Sequence, residues 1–265
     1  MIGSRNRIML PSTIDTLITT SAISLISLVG ISSLSISDIK FHNLLNDLIA
    51  YSAGTILGAA LFDLLPEAIE GVEEALVFPM VAAGFITFFF LERLIYWYHG
   101  HGHGHEFEAK ERKAPTKTFA YLNILGDFIH NFIDGVIISA AFINGFSLGI
   151  TTAIAVAFHE LPQEIGDYGI LVYAGIARRR ALIYNFAVSL SIVMGGVFGA
   201  LFLASAEHLS GWMVAFSAGA FIFLSASELI PELHNEESRL RSTIQMLIFV
   251  LGMITIYYIG IRFAE

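Results

Sequence analysis

The chain has 265 residues, 55% of them hydrophobic and 14% charged, with a mean hydropathy of +0.72 and a formal net charge of −9. A water-soluble domain is about 25% charged, so this composition excludes an ordinary soluble enzyme or binding module. The lack of cysteine removes disulfides, iron–sulfur clusters and thiolate metal sites, and 14 Lys and Arg in all leave no footprint for a nucleic-acid partner.

Apolar runs of about 20 residues, the length that spans hydrocarbon as a helix, recur along the chain. They predict helices at roughly 14–36, 44–66, 78–98, 119–143, 147–175, 182–205, 211–231 and 243–262. The polar–apolar alternation of a membrane β-barrel is missing. The expected fold is an all-α integral membrane protein with eight transmembrane helices, residues 1–265 forming a single polytopic domain in the lipid bilayer. Arg5 and Arg7 precede the first run, but it is long and reads as a transmembrane helix rather than a cleaved signal.

Placing the first loop inside puts 11 of the 14 basic residues on the cytoplasmic side: Lys40, Arg93, Lys110, Arg112, Lys113, Lys117, Arg178, Arg179, Arg180, Arg239 and Arg241. The loop after the second span is acidic, with Glu67, Glu70, Glu73 and Glu74. A multi-pass protein of the cell (inner or plasma) membrane follows, with both termini extracytoplasmic.

The second span has a partner further along. Residues 52–67 and 217–232 align at an offset of 165, with six of 16 positions identical, including Ser-Ala-Gly and the Pro-Glu ending, and with Asp63 matched by Glu228. The second and seventh spans run in opposite directions under this topology, so the pair predicts an inverted repeat of the kind found in transporters. Asp63 and Glu228 would stand towards the outer and inner ends of their spans as ligands along a pathway. Glu232 and His234 follow Glu228 on the inner side. In the third span Glu92 sits beside Arg93, which reads as a snorkelling ion pair. The long loop at 99–118 opens with His99, His101, His103 and His105 alternating with glycine, a flexible row of imidazoles that suits weak metal binding.

The fourth and fifth spans carry the densest chemistry. His130, Asn131 and Asp134 lie near the centre of one, and His159, Glu160, Gln163 and Glu164 near the centre of the other. Ionisable groups at that depth are costly and face a cavity, a partner or an ion. Imidazole, carboxylate and amide form a donor set for a divalent transition metal. His130 and Asp134, His159 and Gln163, and Glu160 and Glu164 are i,i+4 pairs that share a helix face. The link around Asn144-Gly145 is short, so the two helices are antiparallel neighbours and their clusters meet at one level. One four-donor site of His130, Asp134, His159 and Gln163 is expected. A second would draw on Asn131, Glu160 and a bridging Asp134, with Gln163 or Glu164 near. Asp127, one turn before His130, would steer an ion or bond to the histidine. Pro162 removes a backbone N–H and frees a carbonyl that a neighbour must satisfy.

His130-Asn131-Phe132-x-Asp134-Gly135 and His159-Glu160-x-Pro162-x-Glu164-x-Gly166-Asp167 resemble the signatures of the ZIP family of divalent-metal transporters, and the resemblance extends over essentially the whole chain. It implies a 3+2+3 helix arrangement with inverted outer triplets. It also implies a binuclear centre on His130, Asn131, Asp134, His159, Glu160, Gln163 and Glu164, transport into the cytoplasm, and a homodimer with an elevator-like motion. Gln163 stands where relatives carry His or Glu, and the sixth span lacks a carboxylate that some relatives place there. The expected function is transport of Zn2+, with Fe2+, Mn2+ and Cd2+ as possible substrates. A metal sensor and an efflux carrier are the alternatives. An intramembrane metalloprotease needs His-Glu-x-x-His, and Gln163 occupies the second histidine position, so no enzyme is expected.

Overall fold

The computed structural model describes residues 2–29, 38–99, 117–203 and 207–264, and these contain helices and no strand. Among the described residues eight helical stretches follow one another. Helix α1 is Ile2–Ser24 with a tighter turn, Leu25–Val29, at its end. Helix α2 runs through Asp38–Ala59, Ala60–Leu64 and Leu65–Gly71 without a break. Helices α3 (Glu74–His99), α4 (Lys117–Asn144) and α5 (Phe146–Tyr173) follow. Helix α6 is Arg178–Ser189 and Ser191–Leu203, α7 is Glu207–Phe223 continued by Leu224–Leu229 and Ile230–Leu233, and α8 is Arg239–Ala264. Six of these stretches, in α2, α3, α4, α6, α7 and α8, are long and apolar enough to cross a membrane. Several helices outrun the predicted spans, since α1 starts at Ile2 and α2 covers 38–71. Polar residues at a helix end stop the hydropathy signal but not the backbone ladder.

Apolar residues line the outside as well as the inside. Phe78, Phe90, Leu201, Leu240, Leu247 and Tyr258 are more than half exposed. The buried core lies between α2, α4, α5 and α7 and is built mainly from small and aliphatic side chains such as Ala53, Ala59, Ile137, Ala155, Ala218 and Leu224. Small residues let helices approach without a hydrophobic drive between them, as helix association in lipid requires.

The repeat is visible in how the helices pair. A Cβ on Gly54 of α2 would overlap the Phe249 carbonyl of α8, and one on Gly219 of α7 would overlap the Val81 carbonyl of α3. Likewise Gly252 of α8 abuts the Tyr51 carbonyl, and Gly84 of α3 abuts the Phe216 carbonyl. Positions of α2 and α7 correspond at the offset of 165, and the contacts of α8 and α3 follow in the same order. Both pairs are parallel, whereas α2 and α7 are antiparallel to each other: Gly211 meets Val72 while Ser225 donates to the Ala53 carbonyl. The two helices also widen at matching places. Leu65 N–H bonds the Ala60 carbonyl and Ile230 N–H bonds the Ser225 carbonyl, each an i→i+5 turn just before a proline. Such π turns are frequent at functional sites, and Asp63 and Glu228 lie in them.

A second glycine seam joins α4 to α6, where Gly135 faces the Ile192 carbonyl and Gly195 the Phe132 carbonyl. Thr16 and Thr20 of α1 close on Gly196 from the other side. Helix α5 ends where Gly175 takes a φ of 82°. Ile176 N–H then bonds the Leu171 carbonyl and Gly175 N–H the Val172 carbonyl, the paired closure of a Schellman turn.

Gly54→Ala and Gly219→Ala should each lower stability by about 1–3 kcal/mol, the usual effect of overpacking a tight contact. Gly71→Ala meets nothing within 4 Å and should leave the unfolding temperature in detergent unchanged. Equal melting of all three variants would contradict the glycine seams.

Candidate metal centre

Helices α4 and α5 are linked through the single residue Gly145. His130 lies 14 residues before Asn144 (144 minus 130), and His159 lies 13 residues after Phe146 (159 minus 146). At about 1.5 Å rise per residue, both stand about 20 Å from the link, so the antiparallel pair brings them to one depth. Their Nε2 atoms face each other at 2.7 Å. Asp134 Oδ2 lies 3.6 Å from His130 Nε2, and Glu160 Oε1 lies 3.9 Å from each histidine Nε2. One donor atom from each of the four residues falls within 4.8 Å of the others.

All four are buried, with Asp134 at 0% and Glu160 at 1% exposure. No described residue donates a hydrogen bond to either oxygen of Asp134 or to Oε1 of Glu160. Buried carboxylates without donors are costly. A divalent cation would supply what the protein does not. Zinc with ligands at about 2.0–2.1 Å in a tetrahedron needs donor atoms about 3.3 Å apart. The two imidazole nitrogens would have to part by roughly half an ångström and the carboxylate oxygens to close by roughly 0.3 to 1.5 Å, which side-chain rotation can supply.

The neighbouring polar residues behave differently. Asn131 Nδ2 donates to Asp127 Oδ1 at 2.7 Å and to the Asp127 carbonyl at 3.1 Å, and Gln163 Nε2 donates to Asp127 Oδ1 at 3.2 Å. Asp127 therefore bonds two amides rather than a histidine. Asn131 keeps its buried Oδ1 without a donor, so that oxygen remains a candidate ligand. Glu164 Oε2 accepts from Asn185 of α6 at 2.5 Å, and Asp167 Oδ1 accepts from Asn123 at 2.6 Å. Asp127, Glu164 and Asp167 thus bond to neutral amides, Asp167 keeping its second oxygen without a donor among the described residues, while Asp134 and Glu160 have free oxygens facing the histidines. Gln163 falls with the first group.

A cavity of about 180 Å³ reaches the centre from one end and is lined by His130, Asp127, Asp167, Asn123, Glu92 and Glu228. Glu92 was read from sequence as an ion pair, and it lines this cavity. A separate cavity of about 310 Å³, with Asp63, Glu67, Glu70, Ser147 and Tyr257 in its wall, touches none of the four clustered residues. Glu232 and His234 are exposed beyond Glu228. His101, His103 and His105 lie outside the described residues, as does the side chain of His99. Asp167 and Asn123 were missed as cavity residues, and the signal that could have found them is that they extend the i,i+4 rows of Gln163 and Asp127 by one turn. Asn185 had a weaker signal, a lone amide in an apolar span.

The sequence model of the ZIP Zinc transporter family matches residues 13–117 and 98–260. The chain belongs to the ZIP zinc transporter family. It is 38% identical over 150 residues to the zinc transporter zipt-7.2 of Caenorhabditis elegans, covering 55% of this chain and 32% of that protein. It is 39% identical over 128 residues to zinc transporter ZIP6 of Homo sapiens, covering 48% and 17%, and 37% identical over 136 residues to the zinc transporter foi of Drosophila melanogaster, covering 51% and 19%. The chain thus matches a third or less of the length of these relatives. As a ZIP family member with multiple membrane-length helices, it is a multi-pass membrane protein.

Zinc should raise the unfolding temperature of the purified protein, since a ligand at 100 times its Kd adds about 2.7 kcal/mol to the native state. Asp134→Asn should abolish most of that gain, whereas Gln163→Ala should retain most of it. Equal loss in both would place Gln163 among the ligands.

Proposed function

We propose that this ZIP family member carries divalent transition-metal ions across the membrane into the cytoplasm, with Zn2+ the leading substrate and Fe2+, Mn2+ and Cd2+ as competitors. The observation that carries this reading is the set of four buried donors, His130, Asp134, His159 and Glu160, with carboxylate oxygens that no protein group satisfies. Such a set inside an apolar bundle, opening into a polar cavity, suits an ion that must leave again. The relatives named as zinc transporters favour zinc.

In this reading the whole chain is one polytopic unit of eight spans with both termini outside, acting as a homodimer. The cavity holding Glu92 and Glu228 then faces the cytoplasm, because Arg93, Arg178, Arg179, Arg180 and Arg241 gather at that end. Asp63 and its acidic neighbours Glu67 and Glu70 collect the cation on the outer side and begin to replace its water. The two histidines, Asp134 and Glu160 complete the replacement at mid-depth, with Asn131 Oδ1 as an added oxygen. Release runs past Asp127, Asp167 and Glu228 towards Glu232, His234 and the histidine-rich loop at 99–118. Because Glu164 is held by Asn185 and Gln163 by Asp127, a single ion is the expected resident of the centre.

Purified protein in liposomes holding a zinc-responsive dye should admit zinc, and Asp134→Ala should reduce the rate at least tenfold. Competing Fe2+, Mn2+ and Cd2+ would rank the selectivity. Tight zinc binding without flux, with an imposed gradient, would replace transport by sensing.

A further inference from the structure

We infer that Ser52 of α2 is a positioning residue for the metal centre, its hydroxyl holding the Phe158 carbonyl that Pro162 leaves without its helical partner. Proline has no N–H, so the carbonyl four residues earlier, that of Phe158, loses its usual bond. Ser52 Oγ lies 2.5 Å from that carbonyl oxygen and 2.7 Å from the Leu48 carbonyl. A hydroxyl has one proton to give. Leu48 stands four residues before Ser52 in α2 and already receives Ser52's own N–H in the helical ladder, so the proton belongs to Phe158. Ser52 is fully buried.

The hold is double. Tyr51, the neighbour of Ser52, sets its ring edge-on to the Phe158 ring with centroids 4.6 Å apart. Two consecutive residues of α2 therefore fix Phe158 by backbone and by side chain, and the next two residues of the chain are His159 and Glu160. The repeat supplies an internal control. Ser217, the counterpart of Ser52, donates to Met213 of its own helix at 2.6 Å and, among the described residues, to none of another helix. Helix α4, which packs against α7, contains no proline. The cross-helix bond occurs where the proline frees a carbonyl and not where it does not.

Ser52 touches no donor atom of the centre, so it acts through the α5 backbone. Groups that orient metal ligands change affinity by about 10–100-fold when removed. The inference rests on the metal-centre reading, and the experiment separates the two. Zinc affinity is measured on the full chain in detergent by competition with a chelating dye, after subtracting the signal of a His130→Ala, His159→Ala variant. Ser52→Ala should weaken zinc binding about tenfold, and Ser52→Thr, which keeps the hydroxyl, should recover most of it. In a Pro162→Ala background, where residue 162 can bond the Phe158 carbonyl, Ser52→Ala should cost less than about twofold. Unchanged affinity in Ser52→Ala, equal losses in Ser52→Ala and Ser52→Thr, or the same loss with and without Pro162 would each overturn the inference. A double-histidine variant that binds zinc as the native chain does would overturn the metal-centre reading instead.

Discussion

Everything in this molecule answers to one electrostatic demand, the burial of two histidines and two carboxylates within 4.8 Å of one another in an apolar bundle. Charged groups at such depth are disfavoured by several kcal/mol each unless paired or bound to an ion. The rest of the bundle makes that burial tolerable. The single-residue link at Gly145 sets the two helices in register. The amides of Asn131, Gln163, Asn123 and Asn185 bond the remaining carboxylates. Within the cluster, both oxygens of Asp134, Oε1 of Glu160 and Nδ1 of His159 are left without a hydrogen-bond partner among the described residues.

The surrounding helices meet this demand through close backbone approach. Gly54, Gly84, Gly219 and Gly252 bring α2 against α8 and α7 against α3 in matching pairs, and Gly135 and Gly195 bring α4 against α6. Many large side chains, among them Phe90, Leu201 and Tyr258, lie on the outside of the bundle. The two halves are alike in pairing but not in detail. The π turn of α2 carries Asp63 beside one cavity, and the π turn of α7 carries Glu228 beside the other. Of these two cavities only the second has His130 in its wall.

The parts legible in the sequence were those with a short-range rule behind them. The pairs His130/Asp134 and Glu160/Glu164 follow from the 3.6-residue period, and their common depth follows from the short link. The offset between Asp63 and Glu228 pointed to the repeat that the glycine contacts display. Spacing places a side chain on a face but does not say which neighbour receives it. Gln163, expected as a ligand beside the histidines, bonds Asp127, and Glu92, expected to pair with Arg93, also lines the cavity that holds Glu228. Helix ends were misjudged wherever polar residues prolong a helix past the apolar stretch, as at Asp38 and Gly71. The π turns left no signal, because a widened turn depends on what packs against it.

The central claim is that the two histidines, Asp134 and Glu160 surround a metal together. X-ray absorption at the zinc edge tests it most directly, on protein in which His99, His101, His103 and His105 are replaced by alanine so that loop-bound metal does not contribute. The account predicts two imidazoles and at least two oxygens at about 2.0–2.2 Å, and loss of both imidazole signals in His130→Ala, His159→Ala protein. A zinc shell with one imidazole or none, or one unaltered by that double substitution, would contradict it.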